Sequence, residues 1–408
     1  MLKPNLIIIT NRLIVGGISN DIIPLAYYLK QEFNILILHG EKENEEAFAT
    51  FLTKKYPGLQ FHKIKQFKKT INPVTDLLAY FQVKKIIKAF KADIVHTHGA
   101  KSGFLGRIAA HNSKVSGIIH TFHGHHFHSY YNSFFNSNLL RLERMLGRIT
   151  TIVVSISISQ KKELAEVYKI IPAEKIRTIH LGIEFGNIDP EKQRRVFRKK
   201  YKIDDDVIII GIAGRIVPVK NLNLFVQVAK RLMVATLRKL CFFIIGDGFL
   251  KKQIIKQCEV LGMSYTETEG EQGNVIFTSW IEDVIPAMNA MDIVALTSNN
   301  EGTPMSLIEA QFCGKPVVAT NVGGIQDSVI NNKTGFLVEA GDADAMSAKL
   351  KLLIENDALR KTMGENAAIF AAANFSKHTE VENYKQLYKQ LLAQNDIKYS
   401  KHQHLVVK

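Results

Sequence analysis

The sequence predicts an α/β protein that contains two doubly wound parallel sheets. Its 408 residues exceed what one ordinary core holds, and a prior of about 150 residues per domain favours two large domains. Short apolar runs bounded by polar turns alternate with longer amphipathic stretches, a pattern typical of repeated βαβ units. A strongly charged, polar stretch divides these runs into two series.

The first series of apolar runs predicts six strands, and the second predicts six more. The predicted strands are Leu6–Thr10, Ile35–His39, Asp93–Thr97, Gly117–Thr121, Thr151–Ser155, Arg177–His180, then a strand from Val207, Cys241–Ile245, Asn274–Thr278, Asp292–Thr297, Pro316–Thr320 and Gly335–Val338. The polar stretch Gly186–Lys202 sets the boundary near residue 187, which gives domains 1–187 and 188–375. In the remaining segment, 376–408, apolar residues at helical spacing predict a helix that packs back on the first domain.

Composition excludes several classes of protein. The three cysteines, Cys241, Cys258 and Cys313, form no CxxC pair and no even framework, so a disulfide-stapled secreted protein is not expected. No segment approaches the roughly 18 apolar residues of a membrane-spanning helix. The first apolar run is too short for a signal peptide and predicts a strand. A cytoplasmic protein that is soluble or rests on a membrane surface is the expectation.

Positive charge is concentrated in the first half of the chain. Residues 1–187 hold 25 Lys and Arg against 13 Asp and Glu, and residues 51–120 hold 13 against two. Such a field favours anionic lipid or a phosphate-bearing substrate, with a merely solvated face as the alternative. The stretch Tyr130–Arg148 interleaves aromatics, leucines and arginines, which fits either an interfacial helix or a buried amphipathic one.

The most specific motif runs from Asn300 to Thr320. Glu301 and Glu309 are separated by seven residues, and the pattern of a turn, a helix and a strand follows from Pro304 and the later Gly-Lys-Pro. Proline suits the first turn of a helix, so free backbone N–H groups after it form an anion site. Glu309 could accept hydrogen bonds from ribose hydroxyls.

This segment resembles the signature of family 4 retaining glycosyltransferases, which have the GT-B fold. The resemblance implies two Rossmann-like domains facing across a cleft, with the donor nucleotide held mainly by the second domain. The element from Gly211 to Leu222 resembles the family's Gly-Arg and Lys element, so it implies that Arg215 and Lys220 grip the donor diphosphate. Such cations would neutralise the charge of the departing nucleotide.

Further stretches extend the resemblance to the rest of the donor site. The segment around Trp280 and Ile281 resembles the part of the family whose main chain contacts the base, and Gly16-Gly17 resembles the glycine loop against the diphosphate. The expected donor-binding residues are Gly16, Gly17, Arg215, Lys220, Trp280, Ile281, Glu301, Gly302, Thr303, Pro304, Met305, Ser306 and Glu309. Taken alone, Gly16-Gly17 is a weak signal, and Trp280 would more often be a core residue.

Eight of the 14 histidines lie between residues 96 and 128. A zinc site is disfavoured because no cysteine and no clear carboxylate ligand is nearby. The strand-end His-Gly element resembles the place where the family puts a histidine close to the transferred sugar, which implies that role for His123, with His125 as the neighbouring candidate. His98 is expected to support it. Asp204-Asp205-Asp206 precedes a strand and is interpreted as a solvated turn.

The predicted function is a retaining transferase that moves a sugar from a nucleotide-sugar, with UDP favoured, to a saccharide or lipid-linked saccharide in bacterial polysaccharide biosynthesis. The expected catalytic residues are His123, Glu301, Arg215 and Lys220. No metal and no other cofactor is expected, an anionic membrane surface is a possible partner, and nucleic acid is not expected. Two alternatives stay open: a nucleotide-sugar epimerase of the same fold, and a noncatalytic nucleotide-binding protein.

Overall fold

The computed structural model describes residues 3–14, 17–41, 49–68, 70–123, 133–184 and 189–406, without the side chains of 133–136 and 395–406. The chain divides into two units. Unit 1 comprises Met1–Gly182 and Lys377–Lys408, and unit 2 comprises Ile183–Ser376. The sequence analysis places the corresponding boundaries at 187/188 and 375/376.

Unit 1 contains a seven-stranded parallel sheet in the order β3-β2-β1-β4-β5-β6-β7. Its strands are β1 (Asn5–Arg12), β2 (Asn34–Gly40), β3 (Gln60–Lys63), β4 (Ile94–His98), β5 (Gly117–Phe122), β6 (Ile152–Ser155) and β7 (Ile176–Thr178). Its helices are α1 (Gly17–Leu29), α2 (Thr50–Lys55), α3 (Pro73–Phe90), α4 (Ala100–His111), α5 (Ser133–Ile149), α6 (Ile158–Lys162) and the late α15 (Lys377–Val406).

The central strand β1 shows why this sheet is covered on both faces. Successive strand side chains point to opposite faces, and all four residues from Leu6 to Ile9 are fully buried. Leu6 and Ile8 pack with residues of α1 and α15, whereas Ile7 and Ile9 pack with residues of α3 and α4. A continuous apolar run is therefore the pattern of a strand between two helical layers.

The helix α15 belongs to the core of unit 1. Val381, Tyr384, Leu387, Tyr388 and Leu391 are buried in the cluster that also contains residues of α1. Tyr384 and Tyr388 have no solvent exposure. The last helical segment of the sequence thus completes a layer on a sheet formed by the first half of the chain.

Unit 2 contains a second seven-stranded parallel sheet, in the order β10-β11-β9-β8-β12-β13-β14. Its strands are β8 (Ile208–Ala213), β9 (Leu240–Ile245), β10 (Tyr265–Thr266), β11 (Val275–Phe277), β12 (Ile293–Leu296), β13 (Val317–Thr320) and β14 (Gly335–Val338). Its helices are α7 (Pro190–Lys200), α8 (Leu222–Ala235), α9 (Lys251–Val260), α10 (Ile285–Ala290), α11 (Met305–Phe312), α12 (Ile325–Ser328), α13 (Ala343–Glu355) and α14 (Asp357–Asn374).

Both units are Rossmann-like, so the predicted fold class is confirmed. The sequence analysis missed two strands, β3 and β10. The side chains of β3 are half-buried or exposed, so Gln60–Lys63 carries no apolar run, and β10 is only two residues long. Within the described ranges, no helix combines the length and apolar character needed to cross a bilayer.

Candidate active site

In open α/β sheets, ligands bind beyond the carboxyl ends of the strands where the strand order reverses direction. This switch lies between β1 and β4 in unit 1 and between β8 and β12 in unit 2. The candidate site residues of unit 2 follow β8, β11 and β12. Those of unit 1 follow β1 and β5, and His98 is the last residue of β4.

In unit 2, the loops after β8 and β12 are joined by a charged pair. Lys220 Nζ donates a 2.5 Å hydrogen bond to Glu301 Oε1, and Ser298 Oγ donates to the same oxygen at 2.5 Å. The two side chains keep 18% and 12% of their surface exposed. Thr297 Oγ1 also donates to the Lys220 carbonyl at 2.9 Å. These contacts hold the ammonium and the carboxylate in place while leaving both within reach of a ligand.

Arg215 lies one residue beyond the glycine that follows β8, and its side chain is exposed. Among the described residues, no carboxylate lies within ion-pair distance of its guanidinium. An exposed guanidinium with unused donors is suited to bidentate binding of a phosphate.

Close backbone contacts shape the rim of this crevice. Gly246, which follows β9, has a φ of +126°, and a Cβ there would lie 2.1 Å from the Gly214 carbonyl oxygen. Gly323 has a φ of +51°, and a Cβ there would lie 2.1 Å from the Glu301 carbonyl oxygen. Only glycine combines these φ values with such close approach. The Gly323-Gly324 loop therefore packs directly on the turn that carries Glu301.

The helix α11 begins at Met305, after Pro304, and no side chain caps its N-terminus. The first N–H groups of a helix have no partner within the helix and carry partial positive charge. The candidate residues Gly302 and Thr303 lie half-buried in the preceding turn, and Met305 and Ser306 form the first turn itself. The motif thus places backbone donors next to the carboxylate of Glu301.

Glu309 lies on α11, one turn after its start, and is half-buried. Burial, together with the charge of nearby Asp283, raises the pKa of the Glu309 carboxyl to about 7. Among the described residues, its carboxyl oxygens have no hydrogen-bond partner. A poorly solvated acceptor of this kind gains from a hydroxyl donor.

The segment after β11 presents Trp280 to solvent. The indole is 51% exposed, so the interpretation of Trp280 as a core residue is wrong. Ser279 has a φ of +54°, its hydroxyl donates to Asp247 Oδ2 at 3.0 Å, and it accepts from Lys251 Nζ at 3.0 Å. Ile281 packs partly against the core. The turn is therefore fixed by hydrogen bonds while its aromatic side chain stays accessible.

In unit 1, histidines of β4 and the histidine that follows β5 form a connected cluster. The ring nitrogens His98 Nδ1 and His123 Nε2 are 2.8 Å apart. His96 bonds to Tyr388 Oη and to Thr121 Oγ1, each at 2.7 Å. Burial lowers the pKa of His98 well below its usual value and also lowers that of His123. The neutral imidazoles are therefore favoured at neutral pH.

Three charged residues that the sequence analysis did not single out complete this cluster. Asp21 on α1 lies with its Oδ2 3.9 Å from His123 Nε2, and its Oδ1 accepts from Lys377 Nζ on α15 at 3.2 Å. Lys377 also donates to Glu380, which accepts from the Gly182 backbone N–H at 3.0 Å. The side chains of Asp21, Lys377 and Glu380 are at most 4% exposed.

Asp21 and Glu380 differ in their ionisation. Although burial opposes ionisation, Lys377 and a hydrogen bond with Glu380 lower the pKa of Asp21 to about 2. Burial and the Asp21 charge raise the pKa of Glu380 well above its usual value. An ionised Asp21, a charged Lys377 and a protonated Glu380 therefore form a nearly neutral group beside His123.

The sequence analysis expects no carboxylate near the histidines, and that expectation is wrong. Asp21, His98 and His123 place one ligand atom each within 4.8 Å of one another, close enough for a cation. The Lys377 ammonium, however, already neutralises Asp21, and a second cation beside it would meet repulsion. The donor set therefore favours a hydrogen-bonded chain over a metal centre.

Two candidate residues, Gly16 and His125, lie outside the described residues. Gly17 begins α1, and a Cβ built on it would meet no atom of the described residues within 4 Å.

Two tandem Rossmann-like units, each with a seven-stranded parallel sheet, define the GT-B type of fold. The family model described as "Glycosyltransferase Family 4" matches residues 15–186, and that of "Glycosyl transferases group 1" matches residues 193–370. The chain belongs to this family of glycosyltransferases and is an enzyme of that class.

Curated relatives agree with this assignment, and a solved structure agrees with the fold. The chain is 27% identical over 322 residues to the UDP-Gal:alpha-D-GlcNAc-diphosphoundecaprenol alpha-1,3-galactosyltransferase of Escherichia coli, which covers 78% of this chain and 81% of the relative. It is 27% identical over 356 residues to the capsular polysaccharide biosynthesis glycosyltransferase CapM of Staphylococcus aureus, covering 84% and 88%. The crystal structure of HepE from Anabaena in complex with UDP superposes with a TM-score of 0.76 at 20% identity, covering 95% of this chain and 100% of HepE.

These relatives support a glycosyltransferase of bacterial polysaccharide biosynthesis, as the sequence predicts. The GT-B fold is confirmed as well.

Proposed function

We propose that the chain is a retaining glycosyltransferase that transfers a sugar from a UDP-sugar to a lipid-linked saccharide at the cytoplasmic face of a bacterial membrane. The observation that carries the donor half is the contact of Lys220 with Glu301, which precedes the N-terminus of α11, together with the exposed Arg215 in the same loop as Lys220. The guanidinium, the ammonium and the helix N-terminus are three sources of positive charge at the same edge of the sheet. They suit a diphosphate, whose negative charge grows as the sugar leaves.

The proposed roles follow from the position of each group in unit 2. Arg215 and Lys220 bind the diphosphate, Glu301 and the N–H groups of Met305 and Ser306 bind sugar hydroxyls and phosphate, and Glu309 accepts from the ribose. Trp280 and Ile281 flank the base. On binding, the Lys220 ammonium would keep Glu301 and gain the phosphate as a second acceptor, since an ammonium has three donors.

The proposed reaction keeps the configuration at the anomeric carbon. The bond from that carbon to the β-phosphate oxygen breaks, and the acceptor oxygen bonds to the same face. The proton of the acceptor hydroxyl passes to the leaving phosphate oxygen. His123, held neutral by burial, bonds a hydroxyl of the transferred sugar.

The acceptor class is inferred from two facts. The Escherichia coli relative is named for transfer to a diphosphoundecaprenol-linked sugar, and residues 1–187 carry an excess of positive charge. A lipid-linked acceptor explains why the strongly basic half would be the acceptor half.

The test is to incubate purified protein with a panel of UDP-, GDP- and dTDP-sugars and lipid-diphosphate saccharides, with and without EDTA. We expect UDP release that depends on acceptor, an α-linked product from an α-linked donor by NMR, and unchanged turnover in EDTA. An inverted product would contradict retention. Epimerised donor without acceptor would indicate an epimerase, binding without turnover would indicate a noncatalytic protein, and rescue of EDTA loss by magnesium or manganese would contradict metal independence.

A further inference from the structure

The helix α3 of unit 1 presents an apolar stripe to solvent. Ile71, Val74, Leu77, Leu78 and Phe81 are between 53% and 79% exposed. From residue 74 onward their spacing follows one face of a helix. The opposite face of α3 is fully buried at Ala79, Val83 and Ile87. The helix therefore carries apolar side chains on its exposed face as well as on its buried face.

The same outward face becomes basic towards the end of the helix. Lys85 and Lys88 continue the exposed stripe after Phe81, and both side chains are exposed. The one acid of α3, Asp76, is paired with Lys101 of α4. The stripe therefore combines exposed apolar side chains with lysines that form no ion pair among the described residues, a combination that suits the boundary between the headgroups and acyl chains of an anionic bilayer.

The start of α3 is held by hydrogen bonds, one set of which comes from the start of α4. Asn72 caps the helix by accepting from the backbone N–H groups of Val74 and Thr75 at 3.0 and 3.2 Å. Lys101, two residues after the glycine that follows His98, donates to the carbonyls of Lys68 and Thr70 at 2.9 and 2.8 Å. The start of the stripe thus lies at the sheet edge where β4 ends in His98, whereas the end of α3 lies at the opposite edge, where Asn5 Nδ2 donates to the Phe90 and Lys91 carbonyls.

We infer that this stripe, residues 71–81 with Lys85 and Lys88, is the surface through which unit 1 docks on an anionic lipid bilayer. The inference rests on the proposed lipid-linked acceptor for its purpose, because a docked stripe would hold the histidine cluster near the membrane surface. This inference replaces Tyr130–Arg148 with the stripe on α3 as the segment expected to insert into the membrane. In the described part of α5, Leu146 is buried and Glu143 pairs with Arg107, whereas the aromatics at 130–135 lie outside the described side chains.

The experiment measures binding of the full chain to vesicles of phosphatidylglycerol and phosphatidylcholine, and to phosphatidylcholine alone, by co-sedimentation. We expect binding to the anionic vesicles that weakens as salt rises. The variant Leu77→Gln/Leu78→Gln/Phe81→Ser should lose at least tenfold in affinity, and Lys85→Gln/Lys88→Gln should lose several-fold. A matched control removes three exposed apolar side chains of unit 2, Val234→Ser/Leu237→Gln/Ile369→Gln, and should bind as the parent does.

A reporter variant locates the stripe directly. Phe81→Trp in a Trp280→Phe background leaves one tryptophan, whose emission should shift to the blue on anionic vesicles and be quenched by brominated acyl chains. Unshifted, unquenched emission on bound vesicles would overturn the assignment. So would parental affinity of the Leu77/Leu78/Phe81 variant, or concentration-dependent dimers that this variant abolishes, since the stripe would then bind a second copy.

Activity separates this inference from the proposed function. The stripe variant should keep UDP release with a water-soluble acceptor analogue and lose it selectively with the acceptor embedded in vesicles. If the parent docks through the stripe but transfers no sugar, the proposed function fails and the docking surface stands. If transfer proceeds while the stripe is dispensable for vesicle binding, the function stands and the docking surface fails.

Discussion

The two units use the same edge of the same kind of sheet in opposite ways. In unit 1, the charged group of Asp21, Lys377 and Glu380 is sealed from solvent, whereas in unit 2 Lys220 and Glu301 stay partly exposed. The stability of a buried charged group depends on all its members, because removing one charged side chain leaves the opposite charge unpaired where water cannot solvate it. An open pair can accept a ligand at little cost to folding. The buried group therefore stabilises unit 1, whereas the open pair has the exposure that the proposed donor binding requires.

The largest expected effect is on the sealed group. Lys377→Met should lower the free energy of unfolding by about 3–5 kcal/mol, because it leaves the ionised Asp21 buried without a counter-charge. Chemical denaturation monitored by circular dichroism measures this. Lys385→Met on the same helix is the control, since Lys385 forms surface pairs with Glu32 and Glu382 and should cost at most about 1 kcal/mol. Equal, small losses in both variants would mean that the sealed group is not essential to unit 1.

The second effect contrasts binding with turnover. Lys220→Ala should weaken UDP binding and turnover about 10- to 150-fold, the cost of roughly 1.5–3 kcal/mol for a lost charge-assisted contact. His123→Ala should lower turnover while UDP binding survives. Isothermal titration with UDP and assays of UDP release measure the two quantities.

Lys239→Ala serves as the control, because it removes an exposed lysine of unit 2 that pairs with Asp206 on the surface. Unchanged kinetics in folded Lys220→Ala protein would remove Lys220 from the donor site. If His123→Ala lost binding and turnover in equal measure, His123 would be a binding or folding residue.

A smaller effect concerns pH. The pKa of Glu309 is about 7 in the folded chain against an ordinary 4.5, so the folded state holds a proton that the unfolded state has lost over this window. Stability contributed by the raised pKa is present below about pH 4.5 and is lost as pH rises through 7. Glu309→Gln should therefore gain stability relative to the parent at pH 8, by up to about 1–3 kcal/mol, while binding UDP more weakly.

Thermal denaturation at pH 5 and pH 8 tests this, with Glu365→Gln on α14, whose side chain is exposed, as the matched control. A constant difference between the Glu309 variant and the parent at both pH values would show that Glu309 ionises normally.

The crevice of unit 2 could be predicted from the sequence because its residues lie in short continuous motifs. Glu301 to Glu309 spans one turn and one helix, and Arg215 and Lys220 lie in one loop, so each segment could be compared with a family motif, and that resemblance predicted a shared donor site. The group around His123 could not be predicted, because Asp21 lies in a helix near the start of the sequence and Lys377 and Glu380 lie in a helix near its end. The signals that were available were a single acid within the apolar α1 and an acid–base pair one turn apart at the start of α15.

The strands were predicted wherever they are buried on both faces, because continuous apolar runs indicate such strands. β3 lacked that signal because it lies at a sheet edge with polar side chains. The apolar stripe of α3 was missed for a related reason. The sequence shows that both faces of this helix carry apolar residues, but only the packing of Ala79 and Val83 shows which face is exposed to solvent.

The position of α15 in the chain has a consequence for synthesis in the cell. Unit 1 needs Tyr384 and Tyr388 in its core, yet these residues emerge from the ribosome only after unit 2. At about 5–20 residues per second, the intervening stretch of about 200 residues takes roughly 10–40 s to make. During that time the nascent first half carries an uncovered apolar sheet face and an Asp21 without its lysine, so it would be a client for chaperones while unit 2 folds ahead of it.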